Sequence, residues 1–325
     1  MNRFVVWIGA GAICWGACGA GWTADVYPAK AVRIVVPFAA GGSTDLLARN
    51  VAQRLNEAWK QPVIVDNRAG GGGIVGSDHV AKSPPDGYTL LVGTVTTHAV
   101  AATLYRKLPY DAQRNFAAIT EFAYIPQLLS VHPSIPVKTV KELVVLAKVR
   151  PGALDFGTAG AGSASHMAME LFKSMAKINL VHIPYKGTGP ALTDLLGGHL
   201  SLMFDVIMTS LPHLQAGKLR TLGVSSLQRS AIVPDVPTLA ESGYPGFEAL
   251  VWFGLFAPAG TPADIVKKIQ EETARALNTP KMREILASQG LVLVASNPAD
   301  FGARVESEIA KWRKVIQETG IKLDY

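Results

Sequence analysis

Apolar positions along this chain fall into short β-branched runs that alternate with longer stretches of helical spacing, the rhythm of a parallel, doubly wound α/β sheet. The first run, Arg33-Ile34-Val35-Val36, suits a buried strand. Beyond a loop of small residues, Leu46, Leu47, Val51, Ala52 and Leu55 predict a helix over 45–59, with Ser43 or Thr44 as N-cap. Strand 62–65, helix 74–82 and strand 88–92 complete a first unit. A second unit starts near Ile125: strand 127–131, a helix capped by Thr139 and ending before Pro151-Gly152, strand 154–156, helix 166–176 and strand 180–183. Pro190 then opens a helix, and strands 200–204 and 219–224 follow. Residues 251–258 return the chain to the first unit, and three helices end it, the first starting at Thr261-Pro262-Ala263-Asp264 and the others covering 280–289 and 298–319. Asn297 caps the last, and 291–294 reads as an edge strand. The Leu, Ile, Val and Trp stripes of these helices are assigned to core packing.

This order predicts two α/β lobes joined by two crossings, 25–125 with 251–325 forming the first and 126–250 the second. Functional loops of such sheets lie beyond the carboxyl ends of strands, so the two sets are expected to face each other across a cleft.

Residues 1–24 read differently. Arg3 supplies a small positive start, Phe4 to Ala17 an apolar core too short to span a bilayer comfortably, and small residues follow, as in a cleavable export signal. Cleavage after Ala20 or Ala24 fits. Trp15-Gly16-Ala17-Cys18 is a poor lipoprotein box, with Trp where an aliphatic residue is expected, so lipid attachment at Cys18 is the lesser reading. Cys14 and Cys18 are the only cysteines, and cleavage after Ala20 leaves a chain without disulfides or cysteine-held metal. The net charge of +6 includes Arg3, so the chain beyond residue 24 carries +5. Its Lys and Arg are scattered among acids without a basic run, which argues against nucleic acid and mildly favours anionic ligands. No later segment has the apolar length of a membrane span.

Candidate chemistry gathers in the strand-end loops. Pro37-Phe38-Ala39-Ala40-Gly41-Gly42-Ser43-Thr44 turns a strand into a helix through residues that leave backbone N–H groups free to face an oxyanion at a helix N-terminus; a plain tight turn is the alternative. The loop is neither a phosphate loop nor a dinucleotide fingerprint. Gly157-Thr158-Ala159-Gly160-Ala161-Gly162-Ser163-Ala164-Ser165 repeats that chemistry in the second unit. Arg68 either clamps a carboxylate or pairs with Asp66; Thr94 and Thr96 either donate hydroxyls or cap the next segment.

The motifs IVVPFAAGGSTDLLAR after Tyr27-Pro28, VIVDNRAGGGG, PPDGYTLL, GTAGAGSASHMAMELF, IPYKGTGPALTDLLGGHLSLMFD, VPDVPTLAESGYPGFE and APAGTP, in this order, resemble the Bug or TctC-like family across the whole chain beyond the export signal. These are extracytoplasmic solute receptors of tripartite tricarboxylate transporters. The resemblance implies a type II periplasmic-binding-protein fold, two lobes closing on a small organic carboxylate, location in the periplasm, a membrane permease as partner, action as a monomer, and no cofactor. Carried over by motif, the first lobe contributes Phe38, Ala39, Gly41, Gly42, Ser43 and Thr44, with Thr94 and Thr96 at the third strand end. The second contributes Thr158, Gly160, Gly162, Ser163, Ser165 and His166, then Lys186, Gly187 and Asp205.

Each of these has a plainer role open to it. His166 pairs as readily with Glu170 one turn on, Asp205 can brace Lys186 or a neighbouring amide, and Lys186 can attract an anion without touching it. Enzyme readings find little support: Gly162-Ser163-Ala164 lacks the nucleophile-elbow pattern, and His79, His98, His132, His166, His182, His199 and His213 show no metal spacing. A receptor that delivers its loaded form to a sensor kinase uses the same closed state as a transport receptor, so the sequence leaves that alternative open.

Overall fold

A computed structural model describes residues 27–105 and 107–321, together with Met1. The expected export signal and both cysteines lie outside the described residues.

The chain opens with β1 (Val32–Val36), α1 (Ser43–Trp59), β2 (Val63–Asn67), α2 (Ile74–Ala81) and β3 (Thr89–Thr94). A π-helical turn, Val95–Val100, leads into the one-turn α3 (Ala101–Leu104), and β4 (Phe116–Val131) then runs for 16 residues. There follow α4 (Val140–Val149), β5 (Asp155–Thr158), α5 (Ala164–Ala176), β6 (Val181–Pro184), α6 (Thr188–Leu196), β7 (Leu202–Val206), α7 (Ile207–Gln215) and β8 (Arg220–Val224). The chain finishes with β9 (Leu250–Pro258), α8 (Ala263–Leu277), α9 (Pro280–Ser288), β10 (Val292–Leu293) and α10 (Pro298–Thr319).

The strands lie in the order β2-β1-β3-β9-β4-β7-β5-β6, with β8 and β10 also paired to β4. Both flanks are parallel, as the alternating strands and helices predict: β1 pairs in parallel with β2 and β3, and β5 with β6 and β7. The centre is antiparallel, because the two long strands β4 and β9 run against each other and against the flanks. β4 changes partners partway along. Residues 116–126 pair with β9, while 127–131 pair with β7 on one side and, from Leu128, with β8 on the other. One strand therefore belongs to both halves of this two-lobed α/β fold.

Period-two alternation splits the strand side chains between two cores. Val32, Ile34, Val36, Leu90, Val92, Phe253 and Leu255 pack with α1 and α8, whereas Val35, Leu91, Trp252 and Phe256 pack with Phe301, Val305 and Trp312 of α10. Both faces are buried, which is why these strands read as continuous apolar runs. At about 1.5–3 kcal/mol for each large side chain withdrawn from water, the aromatic cluster of Trp252, Phe256 and Phe301 contributes substantially to holding α10 against the sheet.

Helix ends follow local chemistry with small offsets. Thr139 and Asn297 cap α4 and α10 as expected, accepting from the amides of Glu142 and Asp300. Thr261 does not cap α8: its hydroxyl turns back to Pro258 O at 2.8 Å, and Pro262 occupies the cap position. Among the described residues no helix is long and apolar enough to cross a membrane.

Candidate functional site

The loops following β1, β3, β5, β6 and β7 converge on one cavity of about 490 Å³ that takes walls from both halves of the sheet. Its floor is made by the crossing strands. Alternation aims Gln127 of β4 and Val251 and Phe253 of β9 at this cavity.

The first wall comes from the loop after β1. Phe38, Ala39, Gly42, Ser43 and Thr44 line the cavity. Gly42, extended at φ −79°, is the N-cap of α1, and no side chain caps this helix, contrary to the expected role of Ser43 or Thr44. Helix N-terminal amides left without a side-chain acceptor are donors in search of an anion. Asp45 in the first turn does not fill that role but stitches the loop: it is 2% exposed and accepts from the Gly41 amide (2.9 Å), Arg49 Nε (2.9 Å) and Asn67 Nδ2 (2.9 Å). Burial pushes its carboxyl up, yet the bonds from Arg49, Gly41 and Asn67 together hold it below the usual range. Gly41 thus spends its amide inside the loop and is not among the residues lining the cavity. Its φ of +86° explains why a residue without Cβ stands there.

At the end of β3, Thr94 and Thr96 both line the cavity, and Thr94 is also the N-cap of the π-helical turn. Arg68 does not line it. Its Nε pairs with Asp66 Oδ2 at 2.9 Å, as does Arg33 Nη1, so the bracing role holds.

The opposite wall is the loop after β5. Gly160, Gly162, Ser163 and Ser165 line the cavity, and this loop is tied together from within. Ser163 caps α5 by accepting from the His166 amide at 3.3 Å, Ser165 Oγ accepts from the Ala159 amide at 3.1 Å, and His166 Nδ1 accepts from the Gly162 amide at 3.0 Å. His166 is therefore a brace behind the wall: it is 4% exposed and stacks on His182 with ring centroids 4.0 Å apart. Burial, then the neighbouring His182 and Lys173, push His166 down to about 3; burial and Lys173 push His182 down to about 4. Both rings are neutral at pH 7, as the acceptor role of His166 Nδ1 requires. The His166 and Glu170 side chains approach to 3.7 Å, and Glu170 takes its close ion pair from Lys173 at 2.7 Å. Thr158 is fully buried with its hydroxyl 2.7 Å from His182 Nε2, so it too supports the wall without lining it.

From the loop after β6, Gly187 lines the cavity and the exposed Lys186 does not. Asp205, at the end of β7, lines it while 3% exposed. Of the plainer roles open to it, it takes the neighbouring amide and not Lys186: the Val206 amide bonds to it, and Thr209 Oγ1 and Ser210 Oγ of α7 donate to its Oδ2 at 2.5 and 2.9 Å. Burial outweighs these bonds and pushes its carboxyl up to about 6. No Lys, Arg or His side chain is among the described residues lining the cavity.

Sequence reasoning passed over Gly72, Tyr105, Gln127, Thr188, Val206, Val251 and Phe253, all of which line the cavity. Gln127 left a trace: it is a lone amide in an apolar run, 2% exposed, and its Nε2 donates to Ala249 O at 3.3 Å. Val206, Val251 and Phe253 carry no signal of their own, because they reach the cavity through strand pairing, whereas Gly72, Tyr105 and Thr188 reach it from the turn before α2, the end of α3 and the start of α6.

The cavity can hold a small molecule by amides and hydroxyls, and His166 is not placed to activate Ser163, since its Nδ1 is committed to the Gly162 amide.

The description "Tripartite tricarboxylate transporter family receptor" belongs to the family model that matches residues 47–321. Protein BugT of Bordetella pertussis is 38% identical over 302 residues, 93% of this chain and 93% of that protein. Among solved structures, Rpa4515 of R. palustris with adipate superposes with a TM-score of 0.83 at 40% identity, covering 91% of this chain and 99% of that one. MatC of Rhodopseudomonas palustris with bound malate gives 0.80 at 35% identity, covering 89% and 100%.

Proposed function

The chain belongs to the tripartite tricarboxylate transporter receptor family, and on that premise we propose that it captures a small organic carboxylate between its lobes in the periplasm, presents it to a membrane permease, and performs no chemistry on it. Residues 1–24 direct its export. Residues 25–125 with 251–325 move as one body and 126–250 as the other, a division supported by the change of partners on β4 at Pro126 and Gln127.

The observation that carries this reading is the N-terminus of α1, which has no side-chain cap and borders a cavity lined, among the described residues, by no cationic side chain. Neutral, preorganised donors suit reversible capture, because the empty site then buries no unpaired positive charge. A ligand carboxylate takes the amides around Gly42, Ser43 and Thr44, helped by Thr94 and Thr96, while the loop 157–165 closes over it. Adipate and malate, held by the two relatives, are the natural first probes.

Calorimetry against di- and tricarboxylates, hydroxy acids, acidic amino acids and aromatic acids tests the proposal. Saturable binding of at least one acid, with the acid recovered unchanged, is the expected result. Silence across the panel, or conversion of an acid to product, overturns it.

A further inference from the structure

Gln127 interrupts an apolar stretch of β4 in which Ile125, Leu128 and Leu129 are fully buried. An amide withdrawn from water costs stability unless its donors and its acceptor are satisfied. The main chain of Gln127 meets that demand: its N–H donates to Ser225 Oγ at 2.8 Å, its carbonyl accepts from the Ser225 amide at 2.9 Å, and Ser225 Oγ donates in turn to Ala249 O at 2.7 Å. This net fixes the residue where β4 changes partners. Half of the side chain is satisfied as well. Nε2 has two acceptors, Ala249 O at 3.3 Å just before β9 and Ala164 O at 3.4 Å at the start of α5. Because both are carbonyl oxygens, only the NH2 end of the amide can face them.

The other end, Oε1, accepts from no described residue, and Gln127 lines the cavity. Its surroundings on the floor are apolar: Val206 is its register partner on β7, and Val251 and Phe253 of β9 line the same cavity. A ligand that fills this space either supplies a donor to Oε1 or strands it. Oε1 is uncharged, so a neutral hydroxyl completes it without a charge to offset. We infer that Gln127 is a specificity-determining residue whose Oε1 accepts a hydrogen bond from a hydroxyl on the skeleton of the bound acid, so that hydroxy acids are held more tightly than the same acids without the hydroxyl. The number of carboxylates is left free, since one-ended and two-ended acids can both carry such a donor. The inference rests on the solute-binding reading above and narrows it.

The test uses acids paired by a single hydroxyl: malate with succinate, 2-hydroxyadipate with adipate, citrate with tricarballylate, 3-hydroxybutyrate with butyrate, and mandelate with phenylacetate, chiral members as separate enantiomers. In the pair that binds best, calorimetry is expected to give a hydroxylated member an affinity at least about fivefold above its partner, the scale of one net hydrogen bond. Gln127→Met keeps the length of the side chain, deletes the acceptor, and leaves Ala249 O its bond from Ser225 Oγ. It is expected to bring that ratio close to one while the hydroxyl-free acid keeps its affinity, its melting temperature reporting whether the fold survives. If the variant does not fold, a crystal structure of the wild type with the preferred acid decides, its hydroxyl expected about 2.5–3.0 Å from Oε1. A hydroxyl-free member that binds as tightly or more tightly in every binding pair, a ratio unchanged in a folded Gln127→Met, or a ligand hydroxyl seated on another group such as Asp205 each overturn the inference alone. No binding of any acid overturns the solute-binding reading as well.

Discussion

The two small-residue loops that face each other across the cavity look alike in sequence, yet they spend their backbone amides differently. In the loop after β1, α1 begins at Gly42 without a side-chain cap, and the loop is held from beneath by Asp45, Arg49 and Asn67. In the loop after β5, Ser163 caps α5, His166 takes the Gly162 amide and Ser165 takes the Ala159 amide. A helix N-terminus has a fixed supply of orphan donors, and a donor satisfied from within is not offered to a ligand. The first loop is thus suited to seat an anion, and the second to present a rigid wall of hydroxyls and small residues. Glycine-rich loops opening helices are not interchangeable as anion sites; the capping residue decides.

That contrast can be broken or sharpened by substitution. The largest effect is expected from Gly162→Val. Gly162 lines the cavity at φ +74°, where a β-branched side chain is strained and also intrudes on the ligand. Crowding of this kind weakens affinity by roughly 100-fold. Calorimetry reads the loss and circular dichroism confirms the fold; unchanged affinity removes Gly162 from the wall.

A middle-sized effect separates the two loops directly. Proline is tolerated at the first helical position and deletes one N–H there. Gly42 and Ser43 of α1, and Ser163 and Ala164 of α5, hold the same pair of positions, and both preceding residues are already extended, as a following proline demands. Ser43→Pro is expected to weaken binding by about tenfold at unchanged melting temperature, since a donor to an ionised acceptor is lost. Ala164→Pro is expected to cost less than half of that free energy. Equal losses erase the proposed asymmetry.

The smallest effect on binding concerns the brace. His166→Ala is expected to destabilise by about 1–2 kcal/mol through the orphaned Gly162 amide, with His166→Asn restoring part of it because its side-chain oxygen can stand near the Nδ1 position. The acid limb gives an independent readout. Folded His166 stays neutral down to about 3, whereas the unfolded chain takes up its proton near 6.5. The unfolded state therefore binds more protons in that window, and stability is full above pH 6.5 and falls as pH drops towards 3. Denaturant unfolding between pH 7 and 4 should show a shallower decline for His166→Asn than for wild type; parallel curves refute the assignment.

Much of this was legible in the sequence where local chemistry decides. The helices opening at Thr139 and Asn297 and the strand–loop–helix rhythm of both flanks follow from caps and periodicity. β4 was legible only from Gln127 onward. Its residues 116–126 include Thr120, Glu121 and Pro126 and are broken by register shifts, and burial on both faces removes the alternation that marks a half-exposed strand. α7 was passed over as well, with Pro212 inside its helical pattern.

The sequence by itself determined the α/β class, the two loops that open helices, and most of the residues proposed for the site, because each depends on neighbours a few positions away. Only the tertiary structure decided which of those residues line the cavity. Gly41, Thr158, His166 and Lys186 do not, while Gln127, Tyr105, Val251 and Phe253 do. The physical reason is that facing a cavity depends on which hydrogen bonds are already spent and on the register of β4 against β9 and β7. Both involve partners distant along the chain: His182 for Thr158, and Leu250 of β9 and Val206 of β7 for Pro126 and Gln127 at the change of partners.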